Sequence, residues 1–225
     1  MYTPNTAIMS TGGMDSTVLL YETVNAGHNP LLITVNYGHA AFEKQLELIT
    51  WHANYLNLRK PIVIDIEYKS WQKTVGLFTT GFKPNEESPL EDWDKLRYQN
   101  FFIEGRNMIM VAYVLSYCSA FKIEEVLAGY LYTEKEWQSR RTYKLMTGDN
   151  SPQFVDAMNN LTNMGLSHQT RLRAPFYERH LSKEDVYKIG IQLGVDFSKT
   201  YSCYFIPKCG VCDNCRLRAK IIKKE

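Results

Sequence analysis

The chain has 225 residues, a formal net charge of +2, 44% hydrophobic and 22% charged residues, the balance of a soluble globular domain large enough for a real core. The longest apolar run, Met108 to Leu115, is too short to cross a bilayer, and a charge so near neutrality neither demands nor forbids nucleic acid. No basic residue precedes the first apolar stretch, so no signal peptide is expected and the cytoplasm is the expected compartment; there, five cysteines point to a metal or free thiols rather than disulfides.

A short apolar strand over Thr6 to Met9 runs into Ser10, Thr11 and the pair Gly12-Gly13, and a helix starts near Asp15. Paired glycines let the backbone turn and approach a ligand closely. The helix start behind them presents N–H groups and the positive end of its dipole, and the hydroxyls of Ser10, Thr11, Ser16 and Thr17 add donors. This arrangement suits a phosphate group; the plainer alternative is an ordinary strand–turn–helix corner. The chain contains no G-x-x-x-x-G-K-[ST], and Gly12-Gly13 lacks the third glycine of the dinucleotide fingerprint.

The first helix is expected to stop at Gly27. Leu31 to Val35 reads as a strand buried on both faces, and Phe42, Leu46, Ile49, Ala53 and Leu56 mark the core face of a second helix. Ile62 to Ile66 reads as the next strand. Strand and helix alternating in this way give an α/β fold with a doubly wound, mostly parallel sheet, whose ligands bind at the carboxyl ends of the strands. Residues 68–100 show no sustained period and read as a long functional or disordered loop. Glu104 to Phe121 reads as a buried helix with Cys118 as plain core, and Glu125 to Gly129 as the fourth strand. Residues 130–148 form a polar, aromatic and basic insertion. Gln153 to Met164 reads as a helix and Thr170 to Ala174 as a fifth strand. Ser182 and Asp185 make a capping box for a helix with Val186, Ile189 and Leu193 on its core face and Gly194 at its end. Lys220 to Glu225 reads as a solvated, frayed tail. Two units are expected: residues 1–200 as the α/β domain, and 201–225 as a small segment packed on it.

That last segment holds Cys203, Cys209, Cys212 and Cys215, spaced C-x₅-C-x₂-C-x₂-C. Four thiolates on a turn-rich segment can close a tetrahedral zinc shell, structural rather than catalytic because no position is left open. An iron–sulfur cluster is the alternative, although Ala219 stands where a ferredoxin-type fourth cysteine would fall.

Thr11-Gly12-Gly13-Met14-Asp15-Ser16 resembles the S-G-G-x-D-S loop of the PP-loop ATP pyrophosphatases, of the adenine nucleotide α-hydrolase type, with Thr11 in place of the usual Ser. Joined to a four-cysteine cluster near the C-terminus, it resembles the 7-cyano-7-deazaguanine synthase family. Asn36-Tyr37-Gly38 is similar to that family's D-Y-G, and Gly105-Arg106-Asn107 to its G-R-N. The stretch from Ser182 to Asp196, then Ser202-Cys203-Tyr204 and Cys209 to Arg216, follow its C-terminal pattern. Two stretches depart from it. After Tyr37-Gly38 the family usually has Gln and, further on, a His; here His39 follows, with Ala40-Ala41. The family's G-Y-P-D-C-R-P-E-F is matched only by Gly148-Asp149-Asn150-Ser151-Pro152-Gln153-Phe154, and the segment before it is longer.

The resemblance implies an ATP-dependent ligase that converts 7-carboxy-7-deazaguanine and ammonia to the 7-cyano product through an adenylated intermediate, in queuosine-type nucleoside biosynthesis. It also implies ATP, Mg²⁺ and Zn²⁺ as cofactors and a homodimer. Ser10, Thr11, Gly12, Gly13, Asp15, Ser16 and Thr17 would bind the nucleotide, with Asp15, Ser16 and Arg106 catalytic and Cys203, Cys209, Cys212 and Cys215 on the metal. Arg140, Arg141 and Asp149 are the substrate-side candidates, the arginines replacing the charge lost at Ser151 and forming a lid with Tyr130, Tyr132, Trp137 and Tyr143. The alternatives are another PP-loop enzyme, tRNA-modifying or amide-forming, and a non-catalytic nucleic-acid-binding module gripping phosphates with Arg216, Arg218, Lys220, Lys223 and Lys224. Neither a membrane nor a nucleic-acid partner is expected.

Overall fold

The computed structural model describes residues 5–67, 103, 105–131, 149–210 and 212–222. Five strands form one sheet: β1 (Thr6–Met9), β2 (Leu31–Asn36), β3 (Ile62–Asp65), β4 (Glu125–Leu127) and β5 (Arg171–Arg173). Their order is β3-β2-β1-β4-β5 and every pair is parallel, with Ile8 opposite Leu32 on one side and Leu127 on the other. Leu31 to Val35 are all buried, as a strand covered on both faces demands. β3 is an edge, and its residues alternate between half-buried and exposed.

The sheet is covered on both faces, and the strand residues sort by parity. Ile8, Leu32 and Leu127 point into a core built with α1 (Met14–Asn25), α2 (Phe42–Tyr55) and α6 (Lys183–Gln192). Ala7, Ile33, Val35 and Val126 point the other way, onto α3 (Arg106–Ala120) and α4 (Pro152–Gly165). The chain therefore changes faces between β3 and β4, and the crevice between β1 and β4 is the topological switch point, where this architecture binds ligands. α1 opens there. Gly129, just past β4, lies so close to it that a Cβ would sit 3.2 Å from the Asp15 carbonyl carbon and the Ser16 nitrogen.

The capping box of α6 forms as the sequence indicates. Ser182 Oγ accepts the Asp185 N–H at 3.2 Å, and Asp185 Oδ2 accepts the Ser182 N–H at 3.0 Å. The helix packs on α1 through Gly190, against Val18 and Phe197. A short helix α5 (Pro175–Glu178) and a 3₁₀ turn (Phe197–Lys199) add pieces that the sequence pattern does not announce.

Two expectations need correcting. α3 was expected to be buried, but only one side packs, through Val111, Val114, Leu115 and Cys118, while Met108 and Tyr113 are each 50% exposed. A helix laid on a sheet buries one stripe, and apolar composition cannot tell that stripe from a face turned outward. Cys118 is core as expected, its thiol pushed up to about 12 by burial. The tail is the second correction. Helix α7 (Asp213–Ile222) runs into it as far as Ile222, and Ile221 is buried in the core beside α1 and α6. Arg218 is buried too, donating to Thr200 Oγ1 at 2.6 Å and to the Phe197 carbonyl, so it is spent on structure rather than offered to a phosphate. Residues 68–100 and 132–148 lie outside the described residues, and with them Arg140, Arg141 and the expected lid. Among the described residues, no helix is long and apolar enough to cross a membrane.

Candidate active site

Gly12 has φ +66°, and a Cβ there would meet the Gln45 carbonyl oxygen at 3.0 Å, so the turn that β1 makes into α1 requires glycine on both counts. Hydroxyls brace the loop. The Thr11 N–H donates to Ser16 Oγ at 3.2 Å, and the two side-chain oxygens lie 3.1 Å apart. Thr17 Oγ1 donates to the Gly13 carbonyl at 2.9 Å, turning that hydroxyl inward to its own helix. From the far end of the chain, Ser202 Oγ accepts the Met14 N–H at 3.3 Å, and the Tyr201 N–H donates to the Gly12 carbonyl at 2.7 Å.

A cavity of about 220 Å³ opens over this loop. Ser10, Thr11, Gly13 and Asp15 line one end, Tyr37, His39 and Gln45 the side, and Arg106 and Asn107 the other end, with Lys183, Ser202 and Tyr204 closing it. Gly12, Ser16 and Thr17 stand behind the loop and hold its shape. Asp15 divides its carboxylate: Oδ2 accepts from Lys183 Nζ at 2.9 Å, while Oδ1 is buried without a partner. Ser10 Oγ is likewise buried and unpartnered. Unmet buried polar atoms at a helix start and a glycine turn fit an incoming anion and its counter-cation.

At the opposite end Arg106 lies over the Tyr37 ring, 5.7 Å from its centroid. Burial alone would weaken its charge, but Tyr37, Tyr204 and Asp149 outweigh it and hold the guanidinium above its ordinary pKa. Burial raises the Tyr37 and Tyr130 hydroxyls, and at Tyr130 nearby Asp149 adds to the rise. Arg106, expected as a catalytic residue, and Asp149, a substrate-side candidate, are thus brought together among tyrosines.

The four cysteine sulfurs converge, all within 4.8 Å of one another. Cys203 Sγ lies 3.5 Å from Cys209 Sγ and 3.9 Å from Cys212 Sγ, against an edge of about 3.8 Å for a tetrahedron of Zn–S bonds. Backbone N–H groups of Phe205 and Cys209 donate to Cys203 Sγ, each at 3.4 Å, and that of Cys212 donates to Cys209 Sγ at 3.3 Å, which favours the thiolate form that binds metal. Thiols this close titrate as a set. S–H bonds from the others, first Cys203, hold Cys209 far below its ordinary range, and Cys212 and Cys215 are pushed far above theirs. The cluster packs against Ile103 and against Tyr37, which lines the cavity.

Lys183, Gln45, Tyr201 and Ser202 were not picked out as site residues from the sequence. For Lys183 the reason is distance: its partner Asp15 lies 168 residues away along the chain, and in sequence the lysine is only the residue after a helix cap.

Sheet order, switch-point loop and helix start together define an α/β protein of the PP-loop class. The family model described as "Queuosine biosynthesis protein QueC" matches residues 6–225, and the chain belongs to that family. It is 26% identical over 222 residues to the 7-cyano-7-deazaguanine synthase of Methanosphaera stadtmanae, with 96% of this chain and 92% of the relative covered. It is 28% identical over 218 residues to that of Desulfotalea psychrophila, with the same coverage. Among solved structures, the U34-tRNA thiolase NcsA from Methanococcus maripaludis with its [4Fe-4S] cluster shares the fold at TM-score 0.53 and 12% identity, over 100% of this chain and 66% of that one.

Proposed function

We propose that the chain is an ATP-dependent C–N ligase that converts 7-carboxy-7-deazaguanine and ammonia to 7-cyano-7-deazaguanine. A carboxylate is a poor electrophile because its leaving group would be oxide; transfer of AMP to its oxygen supplies a good leaving group, and ammonia displaces it. A second activation removes the amide oxygen. The protein's part is to position the reactants and neutralise developing phosphate charge.

The observation that carries this reading is the two-ended cavity. The loop end, with Ser10, Thr11, Gly13, Asp15 and Lys183, is built for pyrophosphate. The other end, with Arg106, Tyr37 and Tyr204 around a buried cation, is built for a flat anionic ring. Ser10, whose buried Oγ has no partner, receives the phosphates, and Gly12, Ser16 and Thr17 keep the loop in shape. Asp15, whose Oδ1 has no partner, would hold magnesium, and that ion would supply charge neutralisation on the phosphates. Lys183, released from Asp15, turns to the pyrophosphate. Arg106 meets the substrate carboxylate, with Asp149 beside it. The four cysteines suit one zinc: sulfurs within 4.8 Å fit a single ion better than a cluster that spreads the thiolates over separate irons. The chain works in the cytoplasm, where those thiols stay reduced, and pairs as a homodimer through exposed Met108, Tyr113, Leu161 and Met164 on α3 and α4.

The test is mass analysis of the products from ATP, ammonium and 7-carboxy-7-deazaguanine. The nitrile, AMP and pyrophosphate are expected. ATP consumption that leaves the deazapurine unchanged overturns the assignment.

A further inference from the structure

Three buried polar atoms around the cavity have no partner: Ser10 Oγ, Asp15 Oδ1 and His39 Nδ1. The nucleotide and its ion take the first two. The third has no part in the reaction as described so far.

His39 is only 5% exposed, and contacts on three sides fix its ring. It stacks on Tyr37 with centroids 4.0 Å apart, meets Phe42 edge-on at 5.9 Å, and places Nε2 2.8 Å from Gln45 Oε1. An amide oxygen can only accept, so Nε2 carries the proton and Nδ1 is left as a bare lone pair. Burial, with the nearby Arg106 charge adding to it and the Gln45 bond opposing, lowers the pKa to about 4, so the ring is neutral in the cell. A neutral acceptor kept dry and unpaired lowers stability unless something fills the place.

Its position says what could. Gln45 lies against Gly12 of the phosphate loop, His39 is bonded to Gln45 and stacked on Tyr37, and Tyr37 lies under Arg106. His39 therefore stands midway between the phosphate end and the ring end. An acyl carbon bonded to both an α-phosphate and the deazapurine lies along the same span. Nδ1 has no solvent contact in the free protein, so the wall must move before any ligand reaches it, and a molecule the size of water asks for a smaller movement than the broad edge of a purine. Ammonia has that size, three N–H donors and one lone pair.

We infer that His39 is the ammonia-binding residue of this site, its Nδ1 accepting one N–H so that the nitrogen lone pair faces the adenylated carboxyl carbon. The inference rests on the function proposed above. In the step itself the ammonia lone pair forms the C–N bond, and the bond from carbon to the AMP oxygen breaks with its electron pair. The surplus proton on nitrogen passes to the phosphate of the departing AMP. His39 keeps its Nε2–H on Gln45 throughout and gains or loses no proton. A glutamine side chain here would offer the same thing, a neutral amide oxygen.

The test separates the two half-reactions. Exchange of pyrophosphate into ATP needs only ATP and the carboxylic acid, whereas nitrile formation at varied ammonium reads the nucleophile. His39→Phe should keep the exchange within about twofold of the parent and raise the apparent KM for ammonium at least about tenfold, the cost of one lost hydrogen bond. His39→Gln should bring that KM back to within about threefold of the parent. Should the phenylalanine variant be insoluble, His39→Asn, whose shorter side chain withdraws the acceptor, carries the same tenfold expectation. An unchanged KM for ammonium overturns the inference. So does a loss of exchange in step with nitrile formation, or a rise in KM for ATP or the deazapurine instead. A parent protein with neither exchange nor nitrile overturns the function itself, and this inference with it.

Discussion

Lys183→Met removes one charge and keeps the length of the side chain, and its two effects separate cleanly. In the free protein Lys183 Nζ lies 2.9 Å from Asp15 Oδ2, with side-chain exposures of 11% and 24%. Surface pairs are worth about 0–1 kcal/mol, and breaking a fully buried pair costs about 3–5. At this intermediate exposure, with Asp15 Oδ1 already unpartnered, losing the lysine should cost about 1–2 kcal/mol, a fall in Tm of roughly 2–8 °C for a domain of this size. In the proposed reaction the same lysine faces pyrophosphate. A charge about 4 Å away in a medium of effective dielectric near 20 is worth about 4 kcal/mol, and removing one preorganised donor typically costs 10²–10³ in kcat. AMP release by Lys183→Met should therefore fall by about two to three orders of magnitude, far more than its stability accounts for. The double variant Asp15→Asn/Lys183→Met should recover most of the lost Tm, since the unpaired carboxylate is gone, and none of the activity. If activity returns together with stability, neither the lysine nor the Asp15 carboxylate acts on the nucleotide. If the single variant releases AMP at the parent rate, the pyrophosphate role is wrong.

Gly12→Ala should fold and lose most AMP release, because its positive φ and a Cβ at 3.0 Å from the Gln45 carbonyl oxygen force the loop off its path; parent-like turnover would refute this. Gly190→Ala places a Cβ 2.4 Å from Phe197 Cζ and 2.7 Å from Val18 Cγ2, so denaturant unfolding should show a loss of about 1–3 kcal/mol with KM for ATP unchanged. Cys209→Ser should lose the metal and most soluble yield, and the parent should be colourless with about one zinc per chain by metal analysis; visible absorption would indicate iron and sulfide. Stability should also fall on mild acidification. Burial lowers the pKa of His52, and that of His39 from 6.5 to about 4, so below pH about 6.5 the unfolded chain takes protons that the folded one refuses. Each such histidine costs up to about 1.4 kcal/mol per pH unit until its folded pKa is reached. Replacing both with glutamine should flatten that slope, and an unchanged slope would refute the assignment.

The sheet was legible because its signal is local. Leu31 to Val35 is a continuous apolar run that only a strand covered on both faces needs, and Gly12-Gly13 marks the turn within two residues. What the sequence hid is of two kinds. One is orientation: the outward residues of α3, Met108 and Tyr113, are as apolar as the inward ones, so periodicity cannot assign a side. The other is partnership over long separation. α7 buries Cys215, Arg218 and Ile221 at helical spacing, but that stripe is written in a cysteine and an arginine among lysines and reads as a solvated tail. The buried arginine is intelligible only once Thr200 and the Phe197 carbonyl are seen beside it. Lys183 is hidden in the same way. His39 was noted only as a residue out of register, and its meaning depends on Gln45 and Tyr37 leaving one ring nitrogen without a partner.

The cysteine segment is joined to the loop proposed to hold the nucleotide. Tyr201 donates its N–H to Gly12, and Ser202 accepts the N–H of Met14; the next residue is Cys203, the first of the four thiols. On the far side of that cysteine, Tyr204 lines the cavity and steadies Arg106. Residues 201–204 thus touch both ends of the site while crossing one corner of the cysteine cluster. A segment this far along the chain carries a large entropy cost when held against the first turn of α1, and a metal that closes residues 203–215 into one small loop removes much of that freedom beforehand. Its contribution to catalysis is then positional. Stripping the metal should raise KM for ATP and for the deazapurine together, because the same four residues present both ends of the cavity. A change confined to one substrate would show that the cysteines serve only the fold.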